Sequence, residues 1–420
     1  MFVDAPYAGH LHIQNIYLAV DSTGIITYTG DTLPPNTHTE NVIEIPKGKF
    51  FLPGFIDCHI HAPQYATVAT QFGKPLMEWL EASAFPAERK CKEESLARDL
   101  YTKVVLKTLQ NGTTTASYFG TIFNSTDLIL ADVCETNHQR AFVGKVCQDK
   151  MIPNDLCEVT EDSIVDAETF VDTVLSKNYK YVRPIVTPRF AVSCSLELMS
   201  QLSALASKKD IFIQTHLSEN TQECELIAEM YPDCKNYTDV YEKVGCLTSK
   251  TLLAHSIHLS DDEIEVIKNH ESCLIHCPVA NLSMKSGFFR FKKLYQMGVK
   301  IGMGTDVAGG YSPSMIEVMK MAMLVGNISS ITNNDAQIDF GDVLYMATMG
   351  GAKCLNLDKQ IGSFENGKKF DALLIDLTKD NTNIDLFDWN TQEDMVERFI
   401  LQGDSRNIAQ VYVDGTQIEL

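Results

Sequence analysis

From Phe55 onward the chain alternates a short run of β-branched and apolar residues with a longer run of helical period, eight times over. The short runs are Phe55–His61, Thr113–Phe119, Ala141–Cys147, Tyr181–Thr187, Ile211–His216, Thr251–His258, Ser272–Cys277 and Lys300–Asp306. Helical sequence follows each. A long loop precedes the first helix, Ser95–Gln110, where Leu96, Leu100 and Val104 suit one face and Gly112 ends the run. The others are Ser125 to about Asn137, Ser163–Ser176, Leu196–Lys208, a stretch through Glu223 and Ile227, a helix opened by the capping box Ser260-Asp261-Asp262-Glu263, a short one near Phe291–Met297, and one from Pro313. Eight such units predict an α/β fold, a (β/α)8 TIM barrel of parallel strands. With 420 residues there is room for a barrel of about 250 and for additions.

The two ends have a different texture. Residues 1–53 carry β-branched residues and turn formers such as Gly24, Gly30 and Pro34-Pro35. The stretch from Lys368 repeats that character, with Phe370–Asp376 and Ala409–Asp414 as strands. The expected division is a small β-sandwich-like domain from 1–53 and 368–420, and the barrel from 54–367. With 45% hydrophobic and 21% charged residues, a large core can be buried. A net charge of −20 argues against nucleic acid and anionic membranes as partners. Met1 to His10 contain Asp4 and no Lys or Arg, unlike a secretory signal peptide. No uncharged apolar run approaches 18 residues, so no membrane span is expected. The twelve cysteines include no C-x-x-C pair and suit reduced thiols in a cytoplasmic protein.

Barrel enzymes place their chemistry at the carboxyl ends of the strands. There stand His59 and His61 (strand one), Arg189 (past strand four), His216 (five), His255 (six) and Asp306 (eight). Alternation along a strand puts His59 and His61 on one face, Cys58 and Ile60 on the other. Three imidazoles and a carboxylate converging in a barrel mouth suit a divalent transition metal, zinc first. Any one of these histidines alone would more often be a hydrogen-bonded packing residue; their joint placement carries the argument. Cys58 and Cys277 are expected as packing thiols. His10, His12, His38, His138 and His270 are expected to be solvated. His258 falls beyond the useful strand end, and His276 is expected to be structural.

Pro53-Gly54-Phe55-Ile56-Asp57-Cys58-His59-Ile60-His61 resembles the opening metal motif of the amidohydrolase superfamily. His216-Leu217-Ser218-Glu219 is similar to the H-x-x-E of its nucleobase deaminases, and Gly304-Thr305-Asp306 to its final metal aspartate. Ile361 to Lys368 resembles the return into its small β domain. His59 to Tyr65, Thr187-Pro188-Arg189-Phe190, His276-Cys277-Pro278 and Gly304 to Ser312 narrow the likeness to the guanine-acting branch. Between Pro63 and Arg98 only Phe85-Pro86-Ala87-Glu88 matches. The resemblance implies one zinc per subunit held by His59, His61, His216 and Asp306, with a water completing the site. It implies Asp306 as proton acceptor, Glu219 as proton carrier to the purine and the leaving ammonia, and His255 as polariser of the water or stabiliser of the intermediate. It implies Gln64 and Arg189 as readers of the substrate edge, with Phe190 packing on the ring. Guanine and water would become xanthine and ammonia, in a homodimer.

Three other functions would suit parts of the same sequence. A sister deaminase acting on an adenine-type nucleoside or a pterin would share the metal site and differ at Gln64, Arg189-Phe190 and Val307–Gly310. The unrelated zinc deaminases use H-x-E with P-C-x-x-C; His38-Thr39-Glu40 fits the first half, and no P-C-x-x-C exists. A non-catalytic scaffold is disfavoured because every ligand and acid/base position is filled.

Overall fold

The computed structural model describes the whole chain except residues 36, 39, 41 and 334; Thr39 of the H-x-E triplet therefore lies outside the described residues. Eight parallel strands form the centre: β1 (Phe55–His61), β2 (Thr113–Phe119), β3 (Arg140–Gly144), β4 (Val182–Pro188), β5 (Phe212–Leu217), β6 (Thr251–His255), β7 (Cys273–His276) and β8 (Lys300–Met303). They pair in sequence order from β1 to β8. Every residue of β1, β2, β3, β6 and β7 is buried, as helices outside and side chains inside require. The seam between β8 and β1 is closed beyond the end of β8. There Asp306 N–H donates to the His59 carbonyl (2.8 Å) and His61 N–H to the Val307 carbonyl (3.0 Å).

The helices fall where the periodicity places them, within a few residues. Glu94–Gln110, Asn124–Thr136, Thr160–Ser176, Leu196–Lys209, Asp261–Asn269, Phe291–Gln296 and Met315–Asn333 are all present. The Ser260/Glu263 capping box forms as expected. Three details differ. The third strand breaks at Lys145 and resumes as Val146–Cys147. The helical stretch after β5 splits into Thr221–Met230 and Tyr237–Lys243, because Pro232 between them cannot continue a helix. The expected loop before Glu94 contains unbroken helical backbone from Leu76 to Lys90. Its turn widens to a π-helix at Leu80–Ala84, just before Pro86, which has no N–H to give.

The chain ends share one six-stranded sheet. Its order is Thr416–Gln417, Ile408–Val413, Ala372–Asp376, Lys49–Pro53, Phe2–Asp4, His12–Gln14. Phe2, Phe51, Phe364 and Phe370 make a small core on one side, with Phe2 and Phe51 stacked at 5.3 Å. Lys49–Pro53 leads into β1 through Gly54 alone, so this sheet anchors the strand that carries His59 and His61. No helix among the described residues is long and apolar enough to cross a membrane.

Candidate active site

The site grows from the β1–β8 seam. Period two aligns Asp57, His59 and His61 on one face of β1. Asp57 accepts from Thr305 N–H (3.0 Å), Thr305 Oγ1 (2.6 Å) and His59 N–H (3.2 Å), so it ties the two strands together directly beneath the histidines. Burial pushes its carboxyl up to about 7. Gly304 makes the close approach possible. A Cβ there would lie 2.6 Å from His59 Cβ and 2.8 Å from its carbonyl oxygen. Past Gly304 the chain turns out of the strand with Asp306 at φ +46°, and His255 ends β6 at φ +67°. Left-handed backbone at non-glycine residues is uncommon, and it gathers at functional sites.

Asp306 Oδ1 lies 3.3 Å from His59 Nε2 and 3.5 Å from His61 Nε2. The Nε2 atoms of His61 and His216 are 3.2 Å apart. His216 is oriented by Nδ1 donating to the Arg189 carbonyl at 2.6 Å, which leaves Nε2 as its free lone pair. Burial drives the pKa values of His59, His61 and His216 well below the usual imidazole range, so all three rings are neutral, the form that can offer a lone pair to a metal. The buried Nε2 of His59 makes no hydrogen bond. The candidate ligand atoms of His59, His61 and His216 lie within 4.8 Å of one another, as do those of His59, His255 and Asp306. Neutral imidazole lone pairs and a carboxylate aimed at one point fit a transition-metal ion such as zinc.

Around this cluster stand the candidate proton-handling groups. His255 Nε2 is 3.8 Å from Asp306 Oδ2 and 3.6 Å from Glu219 Oε2. Its Nδ1 donates to Asn281 Oδ1 at 2.9 Å, which fixes the ring and its tautomer. Glu219 Oε1 accepts from Ser286 Oγ at 3.3 Å. Burial, helped by the neighbouring Asp306, lifts the Glu219 carboxyl to about 8, so it holds a proton at neutral pH. Asp306 is raised less, to about 6, again by burial.

A pocket opens over the cluster. Gln64, Arg189 and Phe190 line it together with His61, His216, Glu219, His255 and Asp306. Leu76, Trp79, Leu80 and Met284 form its apolar walls. All the site residues expected from sequence thus meet in one place. His276 stands apart from the pocket lining, buried against Phe289 with ring centroids 4.5 Å apart. Cys58 and Cys277 are buried; His10, His12, His38 and His138 are exposed and His270 is half-buried. Sequence reasoning missed Glu88, Trp79, Asn281 and Ser286. Trp79 belongs to the helical segment mistaken for loop. Phe85-Pro86-Ala87-Glu88 was a signal for Glu88, whose partners lie 24 and 101 residues away.

The Amidohydrolase family pattern matches residues 50–418. The guanine deaminase of Mus musculus is 46% identical over 382 residues, covering 89% of this chain and 84% of that one. The guanine deaminase of Homo sapiens is 46% identical over 384 residues, with the same coverage. The crystal structure of a guanine deaminase from C. acetobutylicum, with guanine bound in its active site, superposes with a TM-score of 0.92 at 30% identity. That alignment covers 100% of this chain and 98% of the other.

Proposed function

The chain belongs to the amidohydrolase family, and from that premise we propose that it hydrolyses guanine to xanthine and ammonia. The reading rests on one observation above all. Three neutral imidazoles, Asp306 and a protonated Glu219 converge beneath a pocket that Gln64 and Arg189 overlook. Relatives 46% identical to the chain are named for this reaction.

We assign His59, His61, His216 and Asp306 as the holders of one zinc ion. Bound there, zinc would supply the Lewis acidity that lets water act as a nucleophile at neutral pH. The Asp306 oxygen that faces His255 accepts the proton of the attacking water. His255, locked by Asn281, directs its Nε2 toward that water. Glu219 gives its proton from Oε2 to the ring nitrogen beside carbon 2. Once the C–O bond has formed, Glu219, now a carboxylate, takes the proton of the new hydroxyl and passes it to the amino group; the C–N bond breaks, ammonia leaves, and the proton held by Asp306 restores Glu219. Gln64 and Arg189 hold the purine edge, Phe190 packs on the ring, and Trp79, Leu76 and Leu80 exclude water.

Ammonia release from a panel of guanine, adenine, cytosine and guanosine tests the reading. Guanine should be turned over at least about a hundredfold faster than the rest, since a site built to hydrogen-bond one pattern rejects its analogues strongly. Equal or greater turnover of adenine would overturn it. A homodimer, a cytoplasmic location, and the division into 1–53 with 368–420 and 54–367 complete the proposal; sedimentation checks the first. The six-stranded sheet drawn from both chain ends supports the division.

A further inference from the structure

One buried carboxylate joins the two residues assigned to the purine edge. Glu88 accepts from Arg189 through two N–H groups, at 2.7 and 3.0 Å, and from Gln64 Nε2 at 2.9 Å. Gln64 Oε1 in turn accepts from Ala308 N–H at 3.1 Å. Turned over, the amide would set its oxygen against Glu88 and its NH2 against the Ala308 N–H, so only one orientation satisfies both neighbours. Gln64, Glu88 and Arg189 are each at most 3% exposed, and the Arg189 guanidinium also stacks over Phe85 at 5.3 Å. None of these partners belongs to the proton-handling set.

Two consequences follow. Arg189 has five N–H donors and spends two on Glu88, so three remain for a ligand. The pocket thus offers donors to an acceptor edge such as a ring carbonyl. The second consequence is electrostatic. A lone guanidinium in a buried pocket attracts anions strongly, because low dielectric magnifies charge. Paired with Glu88, it contributes hydrogen bonds without a net charge.

We propose that Glu88 is a specificity-determining residue, which cancels the charge of Arg189 and fixes Gln64 so that the pocket takes neutral oxopurines and discriminates against anionic ones. The proposal rests on the reading of the pocket as a purine site. It gives the enzyme a means of letting go of a product that ionises more readily than its substrate.

Equilibrium binding to the metal-loaded protein tests it, with hypoxanthine as a neutral oxopurine and urate as an anionic one. Neither carries an amino group for the enzyme to release. Glu88→Gln should raise the urate-to-hypoxanthine affinity ratio at least about tenfold over the parent, since it unmasks one buried positive charge. The double variant Glu88→Gln, Arg189→Gln should return within about threefold of the parent, because the Arg189 charge is paired in one and absent in the other while the rest of the pocket is the same. A merely structural role for Glu88 would weaken both ligands together and leave the ratio where it was; that result overturns the proposal. Should Glu88→Gln not fold, the double variant decides. A tenfold loss in its ratio against the parent would mean that Arg189 attracts anions despite Glu88, and would likewise overturn the proposal. Guanine turnover by the parent is measured alongside: its absence refutes the proposed function, whereas an unchanged ratio with turnover intact refutes only the role of Glu88.

Discussion

In the proposed reaction the chemistry turns on Glu219. It stands three residues past the metal-ligand candidate His216, in the loop that follows β5 and 3.6 Å from His255, with its carboxyl lifted to about 8 by burial. A proton held at neutral pH is what a general acid needs. Glu219→Gln keeps the shape and the Ser286 contact but cannot cycle a proton. Turnover of guanine should fall at least about a hundredfold, while metal content measured by atomic emission stays unchanged. Loss of metal in that variant would make Glu219 a ligand instead. At this scale the sequence was informative where strand ends announced themselves: His59, His61, His216, His255 and Asp306 lie at the carboxyl ends of strands. It was silent on Asn281 and Ser286, which act on His255 and Glu219 from 26 and 67 residues away. Neither sits in a periodic pattern that marks it.

Among the elements, the β1–β8 seam sets the geometry of the site. Asp57, Thr305 and the two backbone bonds between the strands hold His59, His61 and Asp306 in register. Gly304 lets the strands approach, and an added methyl group would meet the Cβ and backbone of His59 rather than the far end of a yielding side chain. Gly304→Ala should cost about 1–3 kcal/mol of stability, as overpacking does, and loosen metal binding. Thermal melting and zinc affinity report the two effects; zinc affinity equal to the parent's would show that the seam does not govern the ligands. The segment Leu76–Lys90 teaches the converse lesson. Its helical character was hidden by Pro86 and by a π-turn whose hydrogen bonds no local pattern encodes. It holds Trp79, Phe85 and Glu88 because those residues find partners across the barrel mouth. The eight strands, by contrast, were legible because parallel strands buried on both faces are rich in β-branched and apolar residues.

For the molecule as a whole, barrel and terminal sheet are stapled together. Arg140 on β3 is buried and bonds both Asp371 and Asp414, which flank strands of the terminal sheet. Asp414 has Lys369 at 2.9 Å as a second partner, whereas Arg140 is the cation that serves Asp371. Arg140→Met therefore strands a buried carboxylate, which costs about 3–5 kcal/mol. The urea midpoint should drop accordingly, with kcat at low temperature unchanged, since Arg140 touches none of the pocket residues. An unchanged midpoint would show the staple to be dispensable. That both chain ends enter one sheet was suggested by their shared β-rich texture. The charge staple was not, because its two carboxylates lie 231 and 274 residues from Arg140.

Hydrolysis of guanine is proposed to depend on a metal held by the histidine cluster. That dependence is tested most directly by stripping the protein of metal and titrating zinc back while following ammonia release. The stripped protein should show no turnover, and activity should rise on zinc addition and saturate at one zinc per chain. Full turnover of guanine by rigorously metal-free protein would contradict it.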